Sequence, residues 1–504
     1  VSDGTSAGTV QVIELNENAP DSEGPKYLID VDDVLYFTSD DDGATDPNRE
    51  LWKSDGTAGG TVKVSEVDGD PLIGSYPRYL TNVDGTLFFA AYGADGDELF
   101  RVNNTADGTL LVANLNPAGD SGPRELTAFG TEVFFSATDG TTGRQLYKAD
   151  TSGVTLVADT TNGLGNSSPI DLAVVGNELF FSANGSVPGA TEGTFESAGR
   201  ELHKTDGTAG NFTLVADLVP IGSSNPSQLT EVDGKLFFAA DDVTGDGLEL
   251  WSHDPVADTT VLMVDSYTGV DLAGAPNDGA PQLFGALGTQ LLFTTTDDAL
   301  DRELWISDGT TEGTSLVLDI NPATEDANVK DLIPIGDDIF FVANDGINGE
   351  AIWRADTTTG VAELFEDITN SSTDEISKLT SFGLQNDRIV FYNNTFGSAG
   401  GVFVTDGQNP PTLIADFRPV ELDNEGTMFV ATQDDIYFVA PVNGVNKLFS
   451  SNGNTTAAVL ESGAGEPDCS NPSNLTAFTV SGTTDLYFSA DGDGVGNEMI
   501  VTSF

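Results

Sequence analysis

The chain has 504 residues, and its 81 acidic and 19 basic residues give a net charge of −62 at pH 7. So few Lys and Arg exclude an ordinary nucleic-acid-binding protein, which needs clustered basic residues, and argue against a polybasic membrane-surface protein. The hydrophobic fraction of 38%, with 29 Phe, is enough to bury a core, so we expect a folded chain. A charge of this size must be offset by high salt, by the divalent cations of seawater or by Ca²⁺ bound inside the fold.

Covalent cross-links and membrane spans are not expected. Cys469 is the only cysteine, so the chain has no internal disulfide framework. No apolar run approaches the roughly 20 residues that span a bilayer, so we predict no membrane insertion. The first residue, Val1, is compatible with removal of a signal segment or with a trimmed chain.

One sequence phrase recurs ten times. It consists of a short apolar segment, a tight turn, an aromatic strand, a variable loop, a strand opening with Glu-Leu-aromatic, an Asp-Gly-Thr turn and a Val/Leu-rich strand. The mean period of about 50 residues is typical of a repeat architecture. The aromatic strands begin at Leu35, Leu87, Val133, Leu179, Leu236, Leu291, Ile339, Ile389, Ile436 and Leu486. We place the repeats at 20–70, 71–119, 120–165, 166–222, 223–269, 270–324, 325–370, 371–419, 420–467, and 468–504 together with 1–19.

The third strand of each repeat has an aromatic position. All four tryptophans of the protein occupy it, which predicts a repeated packing position rather than a binding residue. The position is filled by Trp52, Phe100, Tyr147, His203, Trp251, Trp305, Trp353, Phe403, Phe449 and Ile500. We therefore interpret His203 as a packed residue, and we predict that His253, beside the following turn, is exposed.

The turn after this strand carries Asp or Asn. Such short side chains accept hydrogen bonds from backbone N–H groups of their own turn, so we interpret these residues as turn formers rather than as ligands or catalysts. They are Asp55, Asn103, Asp150, Asp206, Asp254, Asp308, Asp356, Asp406 and Asn452.

The repeats predict an all-β chain that forms a single β-propeller of about ten four-stranded blades, because radial stacking protects the strand edges that an open array would expose. The segment 498–504 matches a third strand with no fourth strand after it, and 9–13 matches a fourth strand. We therefore predict that the N-terminal strand completes the sheet begun by the C-terminal three strands. Donation of that strand to a neighbouring subunit and a ring with fewer blades remain alternatives.

The phrase Glu-Leu-Trp-x-x-Asp-Gly-Thr at 50–57 and 303–310 resembles the ELWxxDGT-type repeat of large bacterial secreted and cell-surface proteins. The resemblance covers almost the whole chain, although the phrase is degenerate in the last repeats. It implies a secreted or cell-surface location more than a particular chemistry. The turn is also similar to the Asp-box of sialidase-like propellers, where the box is structural.

Oxygen-rich loops are candidate calcium sites, because Ca²⁺ takes six to eight oxygen ligands. We expect them on the propeller face that holds the loops between second and third strands and between blades, where the long loops 39–49, 183–200 and 267–281 also belong. None has the spacing of an EF-hand. The candidates are Asp491, Asp493, Asn497 and Glu498; Asp40, Asp41 and Asp42; Asp241, Asp242 and Asp246, with Glu249; and Asp95, Asp97 and Glu98.

Catalytic patterns are sparse. Two separated histidines and one cysteine cannot form a zinc cluster, and no phosphate-binding Gly-Lys-Ser/Thr loop is present. Hydrolysis by a carboxylate pair stays open, but no pair stands out among so many acids. Glycosylation sequons occur at Asn103, Asn166, Asn184, Asn211, Asn370, Asn393, Asn454 and Asn474.

Three functional hypotheses remain. The first is a non-enzymatic structural or adhesive propeller, secreted or at the cell surface, with Ca²⁺ as a candidate stabilising ion and with other extracellular proteins or polysaccharide as its partners. The second is a carbohydrate-binding or carbohydrate-active propeller that uses the variable loop face. The third is a filament subunit joined to its neighbour by exchange of the N-terminal strand.

Overall fold

A computed structural model describes residues 10–13, 25–32, 34–40, 49–64, 67, 74–102, 108–163, 165–188, 195–220, 222–242, 247–268, 277–297, 302–321, 326–336, 338–347, 349–356, 361–367, 375–382, 387–394, 401–416, 418–420, 429–432, 435–442, 445–453, 456–458, 470–480, 483–491 and 497–503. Within these ranges all regular structure is β-strand, as the short β-branched and aromatic segments predict. The strands form ten four-stranded antiparallel sheets.

Sheets 1 to 5 each take four consecutive strands of the chain, hydrogen-bonded in chain order. Sheet 1 contains Lys26–Val31, Val34–Asp40, Arg49–Ser54 and Val62–Lys63. Sheet 2 contains Arg78–Val83, Thr86–Gly93, Gly96–Val102 and Thr109–Ala113. Sheet 3 contains Arg124–Phe129, Glu132–Thr138, Arg144–Ala149 and Val154–Ala158. Sheet 4 contains Ile170–Val175, Glu178–Pro188, Phe195–Thr205 and Phe212–Ala216. Sheet 5 contains Ser227–Val232, Lys235–Ala240, Glu249–Asp254 and Thr259–Val264.

Sheets 6 to 9 follow the same pattern, and sheet 10 departs from it. Sheet 6 contains Gln282–Leu287, Gln290–Thr296, Arg302–Ser307 and Ser315–Leu318. Sheet 7 contains Lys330–Ile335, Asp338–Asn344, Glu350–Asp356 and Val361–Glu366. Sheet 8 contains Ile376–Phe382, Arg388–Asn393, Gly401–Thr405 and Thr412–Ala415. Sheet 9 contains Phe429–Ala431, Ile436–Val442, Val445–Ser451 and Thr456–Ala458. Sheet 10 contains Ser470–Val480, Thr483–Asp491, Asn497–Ser503 and, as its fourth strand, Val10–Ile13.

The fourth strand of sheet 10 therefore comes from the opposite end of the chain. Val10 pairs with Val501, and Gln11 pairs with Ile500, in an antiparallel ladder. This is the pairing that the sequence predicts for the two chain ends. The first strand of sheet 10 also contacts the first strand of sheet 1.

The core lies between neighbouring sheets, because the second strands of sheets 1 to 9, the ones whose side chains are described, are buried on both faces. Successive side chains of a strand point to opposite faces. In sheet 2, Phe88 accordingly packs in the cluster shared with sheet 3, while Phe89 packs in the cluster shared with sheet 1. Sheets 3 to 5 repeat this arrangement, which explains why the aromatic strand carries two consecutive Phe. This stacking of four-stranded sheets through their faces is the architecture of a β-propeller.

The aromatic position of the third strand faces the second Phe of the aromatic strand. Trp353 lies directly opposite Phe341 in the ladder, and the Phe100 ring stacks on Phe89 with a centroid distance of 6.0 Å. His203 occupies the same position beside Phe181 and is buried, so its interpretation as a packed residue is confirmed. Burial lowers the pKa of His203 to about 4, which keeps the ring neutral at pH 7.

The prediction that His253 is exposed is wrong. Its exposed fraction is 1%, its Nδ1 lies 3.0 Å from Thr260 Oγ1, and its ring lies 5.4 Å from the ring of Phe180 in sheet 4. His253 lies two residues after Trp251, which fills the aromatic position of this strand. Its side chain therefore points to the same side of the strand as Trp251 and is covered by the neighbouring sheet.

The loop predicted at 183–200 is also different from the expectation. Within this segment the second and third strands of sheet 4 continue as a ladder in which Asn184 pairs with Arg200 and Pro188 with Phe195. The described parts of this segment, 183–188 and 195–200, therefore extend the hairpin of sheet 4 as regular strands.

In sheets 1, 2, 4, 5 and 6 a buried Glu of the third strand accepts hydrogen bonds from the segment that leads to the next sheet, and we call this contact the clasp. In sheet 4, Glu201 accepts hydrogen bonds from the backbone N–H of Ser224, at 2.9 Å, and from the Ser224 hydroxyl, just before sheet 5 begins. Glu50 holds Ser75 in the same way before sheet 2. In sheet 3 the position is Gln145, whose Oε1 accepts from the Ser167 hydroxyl. The Glu of the Glu-Leu-aromatic phrase is thus a structural acceptor that fixes the crossover between sheets.

Candidate functional site

The first strand of most sheets contains a β-bulge at its second residue, where the backbone has positive φ. Tyr27, Tyr79 and Glu125 occupy this position in sheets 1, 2 and 3, with φ of 54°, 55° and 57°. A bulge re-aims a side chain, and a non-Gly residue at positive φ costs about 1–3 kcal/mol, so such positions persist where the surroundings hold them. The bulge therefore determines which side chain of the first strand is turned away from its regular direction in the sheet.

In several sheets the bulged side chain bridges to the next sheet. Glu125 accepts a hydrogen bond from the backbone N–H of Asp171 in sheet 4, at 3.2 Å. Gln228 accepts from the N–H of Leu283 in sheet 6, at 3.0 Å. These hydrogen bonds join the first strands of neighbouring sheets, so the strained backbone of the bulge has a structural role in these sheets.

Sheets 1 and 2 carry tyrosine at this position instead. Tyr27 is 61% exposed and Tyr79 is 45% exposed, and the two strands that carry them are in contact. A Tyr ring presents a flat apolar face with a polar hydroxyl at its end. Two adjacent sheets therefore place exposed aromatic faces at equivalent points of their first strands.

Next to Tyr79, an arginine is held by an aromatic ring and a buried carboxylate. Arg78 forms an ion pair with Asp97 of the third strand, and its guanidinium lies 5.2 Å from the ring centroid of Tyr92. Tyr92 itself is 45% exposed. Burial raises the pKa of Asp97, and the Arg78 charge only partly offsets this rise. Arg78 is thus fixed in place with its charge largely matched.

The equivalent residue of sheet 3, Arg124, has different surroundings. It is exposed, and it makes no hydrogen bond or ion pair with any residue that the structure describes. Beside it, Arg144 is half-buried, and its Nη1 donates to the carbonyls of Gly122 at 2.7 Å and Ser136 at 2.8 Å. Burial first, and then the like charge of Arg124, lower the pKa of Arg144. The two arginines repel each other, and the charge of each also interacts with the carboxylate of Asp97.

We define the rim patch as Tyr27, Tyr79, Tyr92, Arg78 and Arg124. Its members lie at the start of the first strands of sheets 1 to 3 and at the end of the second strand of sheet 2. Exposed aromatic faces beside a fixed and an open guanidinium can stack on a flat ligand ring and donate hydrogen bonds to its polar groups. This combination of open aromatics and basic groups makes the rim patch the candidate binding site.

Sequence reasoning missed the rim patch. A signal was present, because Pro followed by a basic residue and then by Tyr or Glu recurs at 25–27, 77–79 and 123–125, at the repeat spacing. The pattern reads as an ordinary strand start, and only the bulge shows that its third residue leaves the strand plane.

The calcium candidates remain predictions. Asp241 and Asp242 follow the second strand of sheet 5, and Asp241 Oδ2 accepts from Asn225 at 3.4 Å. Burial raises the pKa of Asp241. Strand residues whose side chains are not described are Asp40, Asp491, Asn497 and Glu498. The candidates outside the described residues are Asp41, Asp42, Asp246 and Asp493. Among the side chains that the structure does describe, no three His, Cys, Asp or Glu form a metal-binding group.

Two acidic residues of the fourth cluster have structural partners. Asp97 pairs with Arg78, and Glu98 Oε2 accepts from the Ser121 hydroxyl at 2.6 Å. Glu98 therefore serves as the clasp of sheet 2. Both carboxylates are committed to bonds within the protein.

The turn aspartates behave as turn formers, as predicted. Asp308 Oδ1 accepts from the backbone N–H of Thr310 at 2.8 Å and from its hydroxyl at 2.7 Å, and Asp55 makes the same pair of bonds with Thr57. These hydrogen bonds lower the pKa of both carboxylates. Both carboxylates are therefore hydrogen-bonded within their own turns.

The sequons differ in accessibility. Asn393 is fully buried in the second strand of sheet 8, so it cannot accept a glycan in the folded protein. Asn166 Oδ1 accepts from the backbone N–H of Arg144, Asn184 donates to the Asn166 carbonyl, and Asn211 donates to Asp206. Asn474 lies on the first strand of sheet 10. Sequons outside the described residues are Asn103, Asn370 and Asn454.

Comparison with known proteins shows no close relative. No protein-family model and no curated protein matches the chain. The membership in the ELWxxDGT-type repeat proteins therefore remains a prediction. In the part of the chain that the structure describes, no helix has the length and apolar character needed to cross a membrane.

Several solved structures are similar at low identity. The tricorn protease is 15% identical, with 94% of this chain and 43% of that chain covered and a TM-score of 0.30. A prolyl endopeptidase is 14% identical, with 76% and 54% covered and a TM-score of 0.35. The polysaccharide lyase Uly1 is 11% identical, with 66% and 88% covered and a TM-score of 0.31. The chain spans about half the length of the two peptidases. Such low values carry no argument about activity.

Proposed function

We propose that this chain is a secreted or cell-surface β-propeller that binds a carbohydrate chain through the rim patch and serves an adhesive role. The single observation that carries the proposal is the pair of exposed tyrosines, Tyr27 and Tyr79, at equivalent bulges of adjacent sheets. Glu125 and Gln228 use the equivalent position to bridge to the next sheet, whereas Tyr27 and Tyr79 are exposed there.

The chemistry of the patch favours a sugar over other partners. Tyr faces can cover the apolar face of a sugar ring, while guanidinium groups donate to its hydroxyl oxygens. The net charge of −62 opposes nucleic acid, whose dense phosphates need many cations. The three tyrosines and Arg124 of the patch are exposed and belong to three neighbouring sheets, which suits a polymer that lies across several sheets.

The carbohydrate proposal can be tested with the double variant Tyr27→Ala, Tyr79→Ala. We expect the wild-type protein to bind at least one polysaccharide of a broad glycan array. The double variant should bind that polysaccharide about tenfold more weakly, since tenfold corresponds to only about 1.4 kcal/mol of lost stacking. Titration calorimetry would measure the change.

Ile347→Ala is the matched control, because Ile347 is a highly exposed apolar residue outside the patch. This control should bind like the wild-type protein, and circular dichroism should show that all variants are folded. Equal binding by the double variant, or no binding of any polysaccharide by the wild-type protein, would contradict the proposal.

We further propose that the sheets close as a single ring of ten blades. Contacts between the first strands of successive sheets, with sheets 6 and 7 joined instead through their shared core cluster, and between the first strands of sheets 10 and 1, support this arrangement. The strand Val10–Ile13 pairs within its own chain, which favours closure over exchange with a neighbouring subunit. Closure would place the inner rim around one axis.

Removing residues 1–13 tests this closure. The truncated chain should have a lower melting temperature and should aggregate, because the third strand of sheet 10 would become an unpaired edge. Adding a synthetic peptide of residues 1–13 should restore part of the lost melting temperature. A truncated chain that melts like the full chain would show that the strand does not close a ring.

A further inference from the structure

We infer that the carbohydrate bound at the rim patch is a carboxylated one, a uronate-containing polysaccharide, and that Arg124 is the residue that binds its carboxylate. The inference rests on the proposed carbohydrate binding and adds the chemical class of the sugar. It is carried by the contrast between Arg78 and Arg124, which occupy equivalent places in neighbouring sheets.

The argument begins with the charge of Arg78. Its guanidinium is paired with the buried Asp97 and covered on one side by Tyr92. Asp97 is almost fully buried, so this pair is formed inside the protein and leaves little charge for a ligand. Arg78 is therefore a positioning residue that orients Tyr92 and fixes the edge of the patch.

Arg124 has no such partner. Asp97 forms its ion pair with Arg78, and Glu125 accepts from the N–H of Asp171, so the charge of Arg124 acts on both carboxyls without a hydrogen bond to either. The closest basic group, Arg144, is locked onto the carbonyls of Gly122 and Ser136. In a protein with 81 acidic residues, an exposed arginine without a hydrogen-bonded acid among the described residues is an open anion site.

A carboxylate suits this site better than a more highly charged group. The planar guanidinium matches a planar carboxylate with two parallel hydrogen bonds. Only one guanidinium is open, so the site can pair with one carboxylate of the sugar chain. A sugar ring stacked on Tyr79 with one carboxylate directed at Arg124 uses both neighbouring features.

The test uses two polyuronates, polygalacturonate and alginate, each compared with its own methyl ester in buffer of 0.15 M ionic strength, where the Debye length is about 8 Å. Esterification removes the charge and keeps the sugar backbone. We expect the wild-type protein to bind at least one polyuronate about tenfold or more tightly than its ester, a difference of about 1.4 kcal/mol.

Three variants test whether Arg124 causes the preference for the polyuronate over its methyl ester. Arg124→Gln should bind acid and ester equally, and Arg124→Lys should keep only part of the preference, because the ammonium keeps the charge but loses the planar fork. Arg418→Gln is the control, since Arg418 is another exposed arginine far along the chain, and it should keep the full preference.

The outcomes separate this inference from the proposed function. Equal binding of acid and ester by the wild-type protein, or a preserved preference in Arg124→Gln, would overturn the inference while leaving binding through the tyrosines intact. Binding only of neutral polysaccharides would overturn it in the same way. A wild-type protein that binds no polysaccharide would overturn both.

Discussion

Replacing Trp353 by Ala is expected to lower the free energy of unfolding by about 3–5 kcal/mol. Trp353 is 8% exposed and packs in the cluster that joins sheets 6 and 7, with Phe341 directly opposite it and Leu304 from the neighbouring sheet. Ala would remove most of the buried area and leave a cavity that the paired strands cannot close, because their ladder fixes the distance between them.

The natural repeats supply the control for this substitution. Phe fills the same position in sheets 2, 8 and 9, where Phe100, Phe403 and Phe449 stack on their cross-strand Phe. Trp353→Phe should therefore cost much less than Trp353→Ala. Trp305→Ala should cost less than Trp353→Ala, because Trp305 is only partly buried. Urea denaturation measures all three, and a loss below about 1 kcal/mol for Trp353→Ala would show that the position does not join the sheets.

Replacing Glu201 by Ala is expected to be similarly damaging. The side chain is fully buried and accepts hydrogen bonds from the N–H and the hydroxyl of Ser224. Without the carboxylate these donors have no acceptor, at a cost of about 1–3 kcal/mol for each buried group. The crossover from sheet 4 to sheet 5 would be released, so limited proteolysis near 217–226 should become faster.

Glu201→Gln should restore most of the lost stability. Gln145 already serves as the clasp of sheet 3, where its amide accepts from Ser167 and donates to the carbonyls of Thr142 and Gly165. An amide at 201 could accept from the Ser224 N–H, and the Ser224 hydroxyl can rotate to accept in turn. A Gln variant as unstable as the Ala variant would show that the clasp requires a carboxylate.

The same Gln variant should flatten the pH dependence of stability. Burial raises the pKa of Glu201 from 4.5 to about 7. Between these values the folded protein holds a proton that the unfolded chain has released, so stability from this group is full below 4.5 and is lost as the pH rises toward 7. Glu201→Gln has no such titration, so its free energy of unfolding should fall less between pH 4.5 and 7 than that of the wild-type protein. A slope equal to that of the wild-type protein would contradict the assignment.

Much of the fold could be predicted because the residues within each repeat determine its strands and turns. The double Phe requires a strand that is buried on both faces, and the aromatic position of the third strand requires a partner across the ladder. The Asp of the turn needs only its own backbone neighbours, so its role is visible in a few residues. His203 shares the register of Trp and Phe and was correctly predicted as packed, whereas His253 was not, because its burial depends on the neighbouring sheet.

The candidate site could not be predicted in the same way. Tyr27, Tyr79 and Arg124 follow a proline at the start of a strand, and ordinary alternation would turn such residues alternately toward the two faces of a sheet. The bulge breaks the alternation, and the neighbours that decide whether a side chain bridges or stays open come from other sheets.

The sequence by itself determined the repeat, the four strands of each unit, the tight turns and the packing position of the aromatic residues, because these depend on contacts within one repeat. Only the tertiary structure decided that His253 is covered, that the glutamates clasp the sheets, and that Arg78 is paired while Arg124 is open. The physical reason is that burial and charge pairing at these positions are set by side chains distant in the chain, 19 residues for Arg78 and Asp97, 23 for Glu201 and Ser224, and 253 − 180 = 73 for His253 and Phe180. Hydrophobic periodicity within one strand does not report such partners.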